Sequence, residues 1–185
     1  MTSSSAEPLF STPRYAATAT LTPASLRLLV AQDASRAGGL LDQPGPMRLL
    51  TLHGELAAAE QQECLPSTEA LFLRLQMLLE QAPAGTRLQV LGDEAFLWHV
   101  CRLARHAGLL ADEIELFKLG EWRRLYCVHC SEMQDIGSET ECNCRHCGVK
   151  LFVREHFSQR LGAYMGVCLD PDRPYEQAQA GERQA

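Results

Sequence analysis

Cys127-Val128-His129-Cys130, a spacer of thirteen residues, and then Cys144-Arg145-His146-Cys147-Gly148 is the stretch from which the rest of the chain can be read. Two Cys-x-x-Cys pairs at this separation have the spacing of two knuckles of one tetrahedral metal site. Each pair predicts a tight turn that aims two thiolates into one small volume. The spacer is long enough for a hairpin to lay the second turn on the first. The expected ligands are Cys127, Cys130, Cys144 and Cys147. The expected ion is Zn2+, which in a closed four-thiolate cage has no open position and serves structure. The alternative is mononuclear iron, rubredoxin-like, which the same cage turns into a one-electron carrier. Cys142 is an alternative ligand, and a two-iron cluster a further option. His129 and His146 read as solvent-facing turn residues. Knuckle N–H groups, that of Gly148 included, are expected to donate to the sulfurs.

Working outward, Trp122–Tyr126 reads as a strand entering the first knuckle and Val149–Val153 as a strand leaving the second, a zinc-ribbon layout for residues 120–153. Ser131–Asn143 is acidic and polar and reads as a solvated loop. Residues 154–169 carry Phe157, Leu161, Tyr164 and Met165, with Arg154 and Arg160 beside them. Aromatics, Met and Arg are enriched at interfaces, so this run is expected to be a docking arm for a partner. A cover for the ribbon's own apolar face is the plainer reading. Residues 170–185 read as a disordered tail.

Upstream, residues 1–24 are rich in Ser, Thr, Ala and Pro and read as a flexible arm. From 25 to 119 the pattern is α/β. Strands are expected at Leu26–Val30, Arg48–Leu52, Arg87–Leu91 and Glu113–Phe117, with 53–66 irregular. One helix starts at the N-cap Ser67 and another after Gly92-Asp93. Alternating strands and helices predict a parallel sheet with right-handed crossovers.

The chain has 185 residues, 46% hydrophobic and 22% charged, room for one medium domain and a small metal module. A net charge of −6 with scattered basic residues argues against nucleic acid as a partner. No apolar run is long enough to span a membrane, and the N-terminus has no secretory pattern. Five of the eight cysteines fall between 127 and 147. Their metal spacing predicts a reducing, cytoplasmic setting. Cys64, Cys101 and Cys168 read as packing residues, His53 as structural, and His99 and His106 as exposed. The sequence offers no nucleophile–base pair, so no independent catalysis is expected.

Two resemblances follow from these residues. Gly92, Phe96, Glu115 and Phe117 resemble the end of the nucleotide-binding lobe of ferredoxin-reductase-type flavoenzymes. Leu91 and Asp93 depart from that family's Cys-Gly-Pro turn. Ala31-Gln32-Asp33-Ala34 replaces its Gly-rich loop, and Asp33 would repel a pyrophosphate. The lobe therefore reads as degenerate, its dinucleotide lost. The whole order, with Leu151–Val167 after the ribbon, is similar to the small subunits of bacterial dimethylamine monooxygenases. That resemblance implies membership of a complex that uses NAD(P)H and O2 to convert dimethylamine to methylamine and formaldehyde. It implies as partners a flavin/iron–sulfur reductase subunit and a haem-type oxygenase subunit. This chain would be an accessory part, structural or electron-relaying; the alternatives are a stand-alone zinc-ribbon protein-interaction module and a rubredoxin-like electron carrier for another oxygenase.

Overall fold

The computed structural model describes residues 12–54 and 61–174. It divides into two units, one spanning Arg14–Gly120 and the other holding the residues from Glu121 onward.

The first unit is built on five parallel strands in the order β3-β2-β1-β4-β5. These are β1 (Leu26–Asp33), β2 (Met47–His53), β3 (Gln62–Cys64), β4 (Thr86–Gly92) and β5 (Ile114–Lys118). The expected α/β lobe with a parallel sheet is what forms. Short β3 lies within a stretch read as irregular; three residues on the sheet edge, paired with Leu49–Thr51, are too few for a periodic signal. Residues 55–60 lie outside the described residues.

Two helices join the later strands, α1 (Thr68–Glu80) and α2 (Glu94–His106). The Ser67 hydroxyl caps α1 by accepting from the Ala70 N–H at 3.2 Å, and Asp93 caps α2 by accepting from Phe96 at 2.9 Å. The steps β3→α1→β4 and β4→α2→β5 run the same way along the sheet, so right-handed crossovers place both helices on one face. In agreement, α1 packs on β2 and on α2, while α2 packs on β4 and β5. His99, expected to be exposed, stacks on Phe72 with ring centroids 4.0 Å apart where the helices meet.

The steps β1→β2→β3 run the other way and belong to the opposite face. No helix covers that face among the described residues. Two 3-10 turns, Ala34–Arg36 and Gly38–Leu40, cover it instead, with Ala34, Ala37 and Leu40 buried on Leu29, Leu49, Leu91 and Phe117. Further cover comes from the N-terminal segment, which corrects the flexible arm expected for 1–24 as far as its described part, residues 12–24, is concerned. Ala16 and Ala19 pack on the same cluster, and the Ala16 N–H donates to the Leu116 carbonyl at 2.8 Å. Thr20 donates its N–H and its hydroxyl to Glu115 at 2.9 and 2.6 Å. Tyr15 donates to Glu94, a carboxylate only 1% exposed, at 2.5 Å and accepts from the Trp98 indole at 3.1 Å. Polar side chains of a Ser/Thr-rich segment are here used to satisfy buried polar groups on the sheet. Residues 1–11 lie outside the described residues.

The second unit is a curled sheet in the order β7-β6-β10-β9-β8. Its strands are β6 (Arg123–Cys127), β7 (Met133–Ile136), β8 (Glu141–Asn143), β9 (Lys150–Ser158) and β10 (Ala163–Cys168). The expected loop 131–143 therefore contains two strands, each too short to show a period. The docking arm expected at 154–169 is the second half of β9 and all of β10. Far from hanging free, β10 is the central strand, parallel to β6 and antiparallel to β9. A register shift between Tyr164 and Gly166 accommodates three consecutive exposed residues, Arg154, Glu155 and His156, on β9. Such a bulge breaks the two-residue period, which made the strand look finished at Val153. Gly166 faces the core, where an added Cβ would sit 3.0 Å from Leu151 and 3.2 Å from Leu125. Of the tail expected at 170–185, residues 175–185 lie outside the described residues.

The two Cys-x-x-Cys turns have matching backbones. Ser131 after the first and Gly148 after the second both adopt left-handed φ, 65° and 74°. Each donates its N–H to the carbonyl of the first cysteine of its turn, Ser131 to Cys127 at 2.8 Å and Gly148 to Cys144 at 2.9 Å.

Left-handed φ costs a residue with a Cβ about 1 kcal/mol relative to glycine. Ser131→Gly is therefore expected to slow hydrogen exchange of the β6 and β10 amides by about that amount, and Gly148→Ser to speed it by a similar factor. In the first unit, Tyr15→Phe removes a hydroxyl that both donates and accepts, costing about 1–3 kcal/mol. Limited proteolysis should then cut within residues 12–24 faster than in the wild-type chain.

Candidate metal centre

The matching turns bring their cysteines to one point. The sulfurs of Cys127, Cys130, Cys144 and Cys147 all lie within 4.8 Å of one another. Cys127 and Cys147 are 3.9 Å apart, and Cys130 and Cys144 3.6 Å. A tetrahedron with metal–sulfur bonds of about 2.3 Å has edges of about 3.8 Å. The separations fit one ion held by four thiolates. They are far too long for disulfides, and all eight cysteines are free thiols. A two-iron cluster would hold its two thiolate pairs further apart, across its own width.

Local structure explains the convergence. Cys127 ends β6, and its N–H donates to the Glu132 carbonyl at 2.9 Å; Cys144 follows β8, and its N–H donates to Val149 at 2.9 Å. Val128 in the first turn donates to Gly166 of β10 at 3.0 Å, stitching that turn to the central strand. Cys127 and Cys144 are buried, in one apolar cluster with Leu125, Ile136, Val149, Leu151 and Val153. Cys130 and Cys147 are half-buried, while His129 and His146 are exposed.

Backbone N–H groups converge on the sulfurs. Cys127 accepts from Cys130 and His129, Cys144 from Cys147 and His146, and Cys147 from Val149. Gly148 was expected among these donors, but its N–H is spent on the Cys144 carbonyl. Burial pushes the Cys127 and Cys147 thiols up. At Cys144 burial also acts upward, but the N–H groups of Cys147 and His146 outweigh it and lower the thiol. Adjacent thiolates repel, so a cation is what allows all four to ionise together.

Cys142 stands outside the group of four. Burial first, and the Glu139 carboxylate second, push its thiol up, and its sulfur accepts from the Gln134 amide at 3.6 Å. Gln134 escaped the sequence reading, because a glutamine in a stretch taken for a solvated loop carries no signal. The docking residues are dispersed. Phe157 is 1% exposed and meets Tyr164 edge-on at 5.0 Å, so it packs the unit's own sheet and is no surface anchor. The Arg123 guanidinium lies 5.2 Å from the Tyr164 ring centroid. Leu161 and Met165 are half-buried, and Arg154 and Arg160 are exposed.

At the carboxyl edge of the parallel sheet, where α/β folds bind nucleotides, the chain's own side chains hold the ground. Asp33 accepts from the Ser35 N–H and hydroxyl at 2.9 and 2.7 Å, bonds that keep its carboxyl below the usual range. Gln32 reaches across to Asp93, donating to its carboxylate at 2.7 Å and accepting from its N–H at 2.6 Å. Glu115 is held by Thr20 and Gln89, and Phe117 is core.

Residues 48–114 match the family described as dimethylamine monooxygenase subunit DmmA-like, N-terminal domain. Residues 124–167 match its C-terminal domain. A curated relative from Ectopseudomonas mendocina (strain ymp), a "Heme-dependent oxidative N-demethylase delta subunit", is 44% identical over 182 residues, covering 97% of this chain and 99% of its own. With both domains matched in order and near-complete coverage of that relative, the chain belongs to the DmmA-like family of dimethylamine monooxygenase subunits.

Proposed function

We propose that this chain is an accessory subunit of a heme-dependent oxidative N-demethylase acting on dimethylamine, with its C-terminal unit clamped by one zinc ion on Cys127, Cys130, Cys144 and Cys147. The observation that carries the clamp is the sulfur cage itself, with its edges of 3.6 and 3.9 Å inside an apolar cluster. The full-length similarity to a delta subunit supports the assembly. Zinc suits a closed thiolate site that fixes structure. A unit this small buries too little apolar surface to be well stabilised without a cross-link. The site would lie in a reducing cytoplasm, and no helix of the described residues is long and apolar enough to cross a membrane.

The partners in this reading are the flavin/iron–sulfur reductase subunit and the haem-type oxygenase subunit. Docking is assigned to the outer face of the curled sheet. Sheet register sets Met133, Tyr126 and Met165 in one row there, because their neighbours Leu125, Cys127 and Gly166 face the core. Phe152 lies opposite Val167 and is 42% exposed, as is Val128. Arg154 shares the Phe152 side of β9. Aromatics and Met on an exposed face fit a protein partner better than solvent. In the lobe, Asp33 and Gln32 take up the N–H groups a pyrophosphate would need, which supports loss of the dinucleotide.

A second reading, an iron relay between reductase and oxygenase, is favoured by the half-buried Cys130 and Cys147, whose exposure would let an electron reach a partner.

Metal analysis of the purified chain is expected to give one zinc per chain and no visible absorbance. A red protein bleached by dithionite overturns the clamp in favour of the relay. Cys144→Ser should lose the metal and at least about 3 kcal/mol of stability in the C-terminal unit, since metal binding supplies folding free energy. Phe152→Glu with Met165→Glu should abolish co-purification with the partner subunits while the metal is retained.

A further inference from the structure

The outermost strands of the curled sheet are β7 and β8, with three strands between them. Among the described residues, no backbone ladder joins these two edges. A side chain, that of Gln134, crosses from one to the other. Gln134 of β7, 9% exposed, donates its amide to the Asn143 carbonyl at 3.1 Å and accepts from the Arg145 N–H at 2.8 Å. The same amide also donates to the Cys142 sulfur at 3.6 Å. Asn143 and Arg145 are the two neighbours of Cys144. On its own strand, Gln134 lies opposite Leu125 of β6, two residues before Cys127. One end of Gln134 is thus tied to the hairpin that carries the first knuckle. The other end is tied to the backbone on both sides of the first ligand of the second knuckle.

We propose that Gln134 is a positioning residue for the metal cage, a clasp that holds Cys144 and its turn at the reach of Cys127 and Cys130. This inference rests on the reading of the four cysteines as a metal site. The chemistry selects glutamine. One acceptor must face an N–H and one donor must face a carbonyl, so only one orientation of the amide satisfies both. A carboxylate of the same length would accept from Arg145 but set an acceptor against the Asn143 carbonyl. A methionine of similar length makes neither bond. Because the clasp is buried, its bonds face little competition from water. Partners that orient ligands from outside the coordination sphere change metal affinity about 10- to 100-fold when removed.

The test uses the full chain loaded with zinc and follows its transfer to an excess of a chromophoric chelator. Gln134→Met is expected to release zinc about 10- to 100-fold faster than wild type, with Gln134→Glu in between. The Co2+-loaded forms should show the same order in the intensity of their tetrahedral ligand-field bands. Phe157→Leu is the control. It loosens the core of the same unit at a buried residue outside the apolar cluster that holds the cysteines, and should release zinc at the wild-type rate. Wild-type release from both Gln134 variants overturns the clasp, and so does equal acceleration by Phe157→Leu. If Gln134→Met does not fold, the rate and cobalt spectrum of Gln134→Glu against Phe157→Leu decide the matter in the same way. A wild-type chain that takes up neither zinc nor cobalt overturns the cage, and the clasp with it.

Discussion

Four sulfurs that all lie within 4.8 Å of one another impose the constraint on which the C-terminal unit depends. Neutral thiols pack at such distances with little gain. Four thiolates repel strongly at the same distances, and only a cation at their centre reverses the sign. The chain prepares for that centre in its backbone. Two left-handed residues close the two turns, and N–H groups are aimed at the sulfurs where negative charge must accumulate. Since Cys127 and Cys144 are also core residues, packing and coordination are one interaction here. Loosening either loosens the other.

The lobe is governed by a different economy of polar groups. A parallel sheet needs cover on both faces. Its two helices supply one face, and the other is left to 3-10 turns and an extended segment. Such cover brings many polar groups onto the sheet, and each must find a partner. Tyr15, Thr20 and Ser25 supply them, through Glu94, Glu115 and the Ala84 carbonyl. The nucleotide edge follows the same rule. Asp33 and Gln32 accept from the Ser35 and Asp93 N–H groups, so these donors are satisfied within the lobe.

What the sequence revealed depended on how local the signal was. The cysteine spacing, the caps Ser67 and Asp93 and the long apolar strands are local, and each is legible within a few residues. Three features were not. The N-terminal segment looks like a loose arm because its contacts lie 79 to 95 residues away. The hairpin of β9 and β10 looks like a docking arm because a bulge interrupts its alternation at Arg154–His156. Phe157, which reads as a surface anchor in the sequence, is buried and packs edge-on against Tyr164. Short β7 and β8 carry no period at all. Gln134 lies in that blind region, since its importance comes from which backbone groups it meets.

These two kinds of polar bookkeeping divide the chain's resources in a consistent way. In the lobe, side chains with chemical potential, such as Glu94, Asp93 and Glu115, are engaged by neighbours of the same unit. In the curled sheet, four thiols are gathered into one cage, while the outer face carries half-buried Tyr126, Met165 and Val167 beside exposed Phe152. A partly exposed apolar row of this kind costs solubility unless something covers it. In a family of complex subunits, a partner is the natural cover. The cage then has a second consequence beyond stability. By fixing β6 through Cys127 and, through Val128, the neighbouring β10, it fixes the strands on which Tyr126 and Met165 stand. A rigid face loses less entropy on binding than a loose one. The four-cysteine cage and the outer apolar row therefore stand on the same two strands, and whatever fixes the first also fixes the shape of the second.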